Sequence, residues 1–99
     1  MEVVLKIKGK DKNYTAGFIS ARMLRRTIEI AKEVNFENIT PQELDKLIDY
    51  VVELFGGQFS RDDVYDGLAS KELIPTITRC INQVVGEMAE ATAGEGKNE

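Results

Sequence analysis

Three groups of side chains in this 99-residue chain have types and spacing that could do chemistry. They are the arginines Arg22, Arg25 and Arg26, the carboxylates Asp45, Asp49 and Glu53, and the cluster Asp62, Asp63 and Asp66 before Gly67. The arginines would serve recognition of an acidic protein surface. Their spacing also offers a plainer account, since Arg25 can pair with Glu29 one turn on and Arg26 with Glu29 three residues on, which reads as a solvated helix face. Three arginines in the first two turns nevertheless oppose the helix dipole, and they are the candidate partner-binding residues. The carboxylates at successive i+4 steps suggest a hard-metal site, but a calcium loop gathers its oxygens in irregular backbone with a glycine turn. Regular helical spacing reads instead as a solvated acidic face. Asp62 and Asp63 suit a helix start, where the dipole favours negative charge.

Catalysis lacks its usual parts. The chain contains no histidine, which removes the commonest general acid–base group and the commonest zinc ligand, and with them any histidine-based triad. Cys80 has only Arg79 nearby in sequence to activate it, so packing is its expected role. Gly94-Glu95-Gly96-Lys97 lacks the spacing and the hydroxyl of a phosphate loop. No enzyme activity, cofactor or metal is expected.

Composition points the same way. A hydrophobic content of 42% with 30% charged residues belongs to a folded chain with a modest core. No apolar run is long enough to span a membrane, no secretory signal is visible, and one cysteine cannot form an internal disulfide. A cytoplasmic setting is expected. The net charge of -4 conceals an asymmetry: residues 1–35 carry eight Lys/Arg and four Asp/Glu, residues 36–99 five and thirteen. The acidic remainder would repel a phosphate backbone, which disfavours nucleic acid as a partner.

The elements that must position these groups read clearly. Val3, Leu5 and Ile7 alternate with polar neighbours as a strand, Gly9 to Lys12 signals a turn, and Asn13 to Phe18 can return as a second strand. Lys6, Lys8, Lys10 and Lys12 resemble edge protection. Ser20 caps a first helix over about 21–34, with Met23, Thr27, Ile30, Ala31 and Val34 as its buried stripe, widened by Leu24 and Ile28, and Asn35 as a left-handed terminator. Thr40-Pro41-Gln42-Glu43 is a capping box opening a second helix whose Leu44, Leu47, Ile48, Val51 and Phe55 face the core, ending at Gly56 and Gly57. Ser60 caps a short third helix, stapled by Phe59 and Val64 and stopped at Gly67. A fourth helix spans about 72–91, with Ile74, Ile77, Ile81, Val84, Val85 and Met88 on one face and Pro75 in its first turn. The predicted fold is α+β: an N-terminal β-hairpin and four helices in one globular domain over residues 1–92, with a flexible tail at 93–99.

Three blocks carry a family likeness: Tyr14 to Phe18 leading into Ser20-Ala21-Arg22-Met23-Leu24-Arg25-Arg26, the capped helix from Thr40 to Phe55, and Phe59 to Leu68 followed by Leu73-Ile74-Pro75. Over roughly residues 2–90 the chain resembles the tail assembly chaperones of long-tailed siphophages and related prophages of Gram-positive bacteria. The resemblance implies a non-enzymatic protein of the host cytoplasm, absent from the mature virion. It would keep the tape-measure protein soluble while tail-tube subunits polymerise around it. Such families often make a second, longer product by ribosomal frameshifting, through which tail-tube subunits would be engaged. Homo-oligomers are also expected, because a chaperone of a long client gains from arrayed copies. The alternative from another class is a small cytoplasmic regulatory or adaptor domain, including a weak DNA-binding one using the first helix. Gly96-Lys97-Asn98 can be encoded GGA-AAA-AAC, which contains a slippery heptanucleotide, and Glu95-Gly96-Lys97 as GAG-GGA-AAA offers another. A flexible, apolar-poor linker is what a frameshift fusion would need there.

Overall fold

The computed structural model describes the backbone of residues 1–96 and the side chains of residues 1–86. Its elements in chain order are β1 (Glu2–Ile7), β2 (Lys10–Thr15), α1 (Ala21–Glu33), α2 (Pro41–Leu54), α3 (Arg61–Gly67) and α4 (Ser70–Gly96). The predicted hairpin-plus-four-helix α+β architecture is therefore the one observed.

The hairpin is tighter than its turn signal suggested. β1 and β2 pair antiparallel from Glu2↔Thr15 to Ile7↔Lys10, leaving Lys8 and Gly9 as a two-residue turn. Both have positive φ, 53° and 79°, as a primed hairpin turn requires. Lys10, Asp11 and Lys12 thus belong to the strand, and β2 ends at Thr15 before reaching Phe18. Charge is tolerated there because β2 is an edge strand, exposed throughout except at Tyr14. Val3, Leu5 and Tyr14 form the buried face. Tyr14 meets Phe59 edge-on, with ring centroids 4.8 Å apart, and Phe59 packs on Phe55 at 5.5 Å. The hairpin therefore rests on the junction of α2 and α3.

Gly67 secures the other side of β1. A Cβ at this position would lie 3.1 Å from Leu5 Cβ and 3.2 Å from the Lys6 backbone nitrogen and oxygen. α3 stops at Gly67 as the sequence reading had it, and the position also requires close approach of α3 to the strand. The terminators that do use positive φ are Gly56 (69°) and Gly57 (73°), where the Gly57 amide turns back to the Val52 carbonyl at 2.9 Å.

The capped helix starts are as read. Thr40 and Glu43 form a complete capping box, and Ser60 forms another with Asp63. The end of α1 differs. Val34 closes it in an extended conformation and Asn35 does not adopt positive φ. Instead, the Asn35 amide donates to Glu43 Oε2 at 3.2 Å, and Asn35 Oδ1 accepts from the Glu37 amide at 3.0 Å. One carboxylate thus holds the end of α1 and the start of α2 together.

The start of α4 also differs. The helix opens at Ser70, with the Glu72 amide bonded to the Ala69 carbonyl at 2.9 Å, so Pro75 lies in the second turn. Pro75 lacks the N–H that would meet the Lys71 carbonyl. Both residues are exposed, so solvent can satisfy that oxygen. At its far end α4 reaches Gly96 rather than the neighbourhood of Ala91. The tail expected from residue 93 overlaps this end, and residues 97–99 lie outside the described residues.

Buried side chains from the hairpin and from all four helices form one cluster. Its centre is α2: Leu47, Ile48, Tyr50 and Val51 are sealed between α1 residues such as Ile30 and α4 residues such as Ile77, Cys80 and Val84. Leu47, Ile48 and Val51 are three of the predicted core residues; Tyr50 is an addition.

Candidate functional site

The buried stripe of α1, Met23, Thr27 and Ile30, determines where the three arginines point. Arg22 and Arg25 are exposed and Arg26 is half-buried. Arg25 Nε lies 3.8 Å from Glu29 Oε1, with four-fifths of the Arg25 side chain in solvent, a weak surface pair. The Arg26–Glu29 pair that the spacing offered is not made. Arg26 is instead close enough to Asp49 on α2 for its charge to favour the Asp49 carboxylate. The structure thus separates the set, with Arg22 and Arg25 open to solvent and Arg26 turned towards an acid of its own chain.

The acidic ridge of α2 stays partly solvated, and its first two acids are also engaged by α3. Arg61 on α3 grips Asp49 with two hydrogen bonds, Nε to Oδ1 at 2.8 Å and an η-nitrogen to Oδ2 at 2.6 Å. Its other η-nitrogen lies 3.8 Å from Asp45 Oδ2, and the Tyr65 hydroxyl donates to Asp45 Oδ1. The Arg61 hydrogen bonds hold the Asp49 carboxyl below the usual carboxylate range. Burial, then the Asp45 bond, pushes the Tyr65 phenol up to about 12. Asp45 and Asp49 are four residues apart, as are Arg61 and Tyr65, so two i,i+4 pairs face each other across α2 and α3. That matched spacing was the available signal in the sequence. Glu53 stays exposed. This arrangement docks one helix on another and leaves no vacant ligand position.

Cys80 is wholly buried, and burial raises its thiol pKa, the opposite of what a nucleophile needs. No cluster of three metal-ligating side chains occurs among the described residues. No helix among them is long and apolar enough to cross a membrane.

Among the depressions on the described surface is an apolar one between α1 and α4. It holds about 370 Å³ and is lined by Ala31, Phe36, Ile74, Thr78, Ile81 and Asn82. Ile28 and Val85, at 43% and 37% exposed, continue the apolar surface along the two helices, and Phe36 is 39% exposed. The sequence reading assigned Ile28 and Ala31 to the buried stripe of the first helix and Val85 to the apolar face of the fourth. The core covers less of both helices: Ile77, Cys80 and Val84 fill it from α4, and the adjoining row is left outside. Among the lining residues described, the polar side chains are those of Thr78 and Asn82, which suits binding.

A comparison with known protein families decides what kind of protein presents this surface: the family model described as phage tail chaperone protein matches residues 1–99. The chain belongs to the phage tail chaperone family. No curated protein and no solved structure matches it. Membership agrees with the resemblance read from the three sequence blocks and assigns the chain to tail assembly among protein partners. For a phage tail chaperone, a surface with surplus apolar area and no reactive group is the feature to explain. Local periodicity could not separate that surface from the core, because the same rows of residues supply both.

Proposed function

We propose that this phage tail chaperone binds the tape-measure protein and keeps it soluble in the host cytoplasm while tail-tube subunits polymerise around it, and that it leaves before the virion matures. It acts without catalysis. The observation that carries the reading is the uncovered apolar row of α1 and α4 in a member of this family. Contiguous exposed apolar surface on a small protein marks an interaction site, and a chaperone needs such a surface to shield its client. Arg22 and Arg25, with Arg26 beside them, supply positive charge on the same helix for acidic stretches of that client. Residues 1–92 act as the folded unit, and a longer product made by frameshifting near the end of this sequence engages the tail-tube subunits. Arrayed copies along a long client raise occupancy through effective concentration.

Co-expression tests the reading. Tape-measure protein produced alone should aggregate, and produced with this chain it should stay soluble and co-purify with it. Insoluble tape-measure protein in both cases would refute the proposal. Changing Arg22, Arg25 and Arg26 together to Ser should weaken co-purification and its salt sensitivity while the fold is kept; unchanged capture would return them to a solvated face.

A further inference from the structure

We infer that the α1–α4 groove receives one amphipathic helix of the client, about three turns long, with an apolar stripe seated on Ala31 and Thr78 and acidic residues along the flank that meets α1. This rests on the client-binding reading above and names the chemistry of the segment bound.

Shape sets the first half of the inference. Ala31 and Thr78 are small, and Phe36, Ile74 and Ile81 around them are large, so the depression lies between bulky walls. From Ile74 to Val85 the α4 side rises about 16 Å, the length of three helical turns. A helix laid there would insert anchors at i, i+3 or i+4, and i+7, the standard register for a helix in a groove. The Phe36 wall is held in place by the loop that Glu43 ties down, through its bonds to the Asn35 and Thr40 amides at 3.2 and 3.1 Å. The groove is therefore formed before any partner arrives.

Charge sets the second half. Helical spacing puts Lys32 one turn beyond Ile28, Arg25 three residues before it, and Lys71 three residues before Ile74. All three are exposed. Among the described residues, Lys32 and Lys71 make no ion pair, and Arg25 has only its long contact with Glu29. Of the neighbouring acids, Glu29 shares the α1 flank in its long contact with Arg25, Glu33 bonds Lys46 on the α2 side at 3.1 Å, and Glu72 faces Val4 and Leu68 across α4. Glu37 follows Phe36 at one end. The α1 side of the apolar row thus carries Arg25 and Lys32, and Lys71 adds a cation at the Ile74 end of the α4 side, which complement a helix carrying Asp or Glu beside its apolar stripe. A second copy seated face to face would set Arg25, Lys32 and Lys71 against their own counterparts, and nucleic acid would find an apolar floor under its phosphates. The acidic amphipathic helix is the occupant that satisfies both shape and charge.

The test uses the full chain and peptides of about five helical turns tiling its tape-measure protein, with affinity read by fluorescence anisotropy and solubilisation of the full-length client read alongside. Acidic amphipathic tiles should bind. Thr78→Glu, which fills the floor at an exposed position, should weaken them by about tenfold or more. Lys32→Glu with Lys71→Glu should do the same and should transfer preference to a synthetic tile whose flanking acids are replaced by Lys. Circular dichroism melts should match wild type for each variant. Solubilisation untouched by either variant would overturn the groove and leave the chaperone reading standing. Loss of self-association in the Thr78 variant, with client binding intact, would make the groove a contact between copies and likewise overturn it. Failure of the wild-type chain to bind any tile or the whole client would remove both readings.

Discussion

Tyr50 and Thr27 allow a test in which the direction of one buried hydrogen bond fixes the ranking of two mutants. The Tyr50 hydroxyl lies 2.7 Å from Thr27 Oγ1, and both residues are fully buried. Thr27 has a single hydroxyl proton and donates it to the Met23 carbonyl at 2.7 Å, so Tyr50 must donate to Thr27. Burial raises the Tyr50 phenol above its ordinary pKa, which keeps that proton in place. Tyr50→Phe removes the donor and strands none, leaving the Thr27–Met23 bond intact. Its cost is the net value of a hydrogen bond, about 0.5–1.5 kcal/mol. Thr27→Val keeps the shape but strands a buried phenol hydroxyl, a penalty of about 1–3 kcal/mol. The double variant leaves neither group stranded and should fall short of the sum by about 0.5 kcal/mol or more. Urea unfolding resolves these differences at a slope of about 1–3 kcal/mol per molar. A Tyr50→Phe loss equal to or above that of Thr27→Val, or strict additivity in the double variant, would refute the assigned direction and the claim that the pair is isolated from water.

Leu47→Ala should cost about 2–5 kcal/mol in the same assay, since Leu47 is fully buried at the centre of the core; a loss under about 1 kcal/mol would show that the cavity collapses or the site is wet. Gly67→Ala should destabilise by about 1–3 kcal/mol because its methyl meets the β1 backbone, whereas Gly86→Ala, with open space around its Cβ in α4, should stabilise by about 0.5–1 kcal/mol. Acidification should destabilise the fold through Glu43 and Asp49. Backbone amides of Thr40 and Asn35 lower the first and Arg61 the second, so their stabilising contribution is complete above the ordinary carboxylate pKa and is lost as pH falls through the depressed folded values, below about pH 4. Thermal melts of Glu43→Gln and Asp49→Asn should therefore converge on wild type at low pH, and a gap that widens there would contradict the assignment.

Much of the fold was legible because its signals are local. Thr40 with Glu43, and Ser60 with the hydrophobic pair Phe59 and Val64, announce helix starts within four or five residues. Leu47, Ile48 and Val51 announce a buried face within two turns. The rest depends on partners distant in sequence. Gly67 does stop α3, but its close approach to β1, and the engagement of Asp45 and Asp49 by Arg61 and Tyr65, appear only once those partners are beside them. Lys10 to Lys12 resemble a turn because their charge suits one, yet an edge strand accepts charge equally well. The groove was hardest to see. Ile28, Ala31 and Val85 continue the apolar periodicity of the core, and only the packing shows which rows of α1 and α4 are covered.

The seat of the hairpin also bears on how the chain folds as it is made. β1 and β2 precede the elements that seal them, and two strands alone are marginal in water. What holds them comes much later: Phe59 against Tyr14, Gly67 against Leu5, and finally Arg79, which donates to the Glu2 carbonyl at 3.3 Å across 77 residues of sequence. The N-terminal segment must therefore wait, unsealed, until α3 and the first half of α4 have emerged. Until then Val3, Leu5 and Tyr14 lack the partners that bury them, with the lysines of the hairpin flanking them. In chain order the strand pair thus comes before its cover, and it closes only once α3 and the first half of α4 have followed.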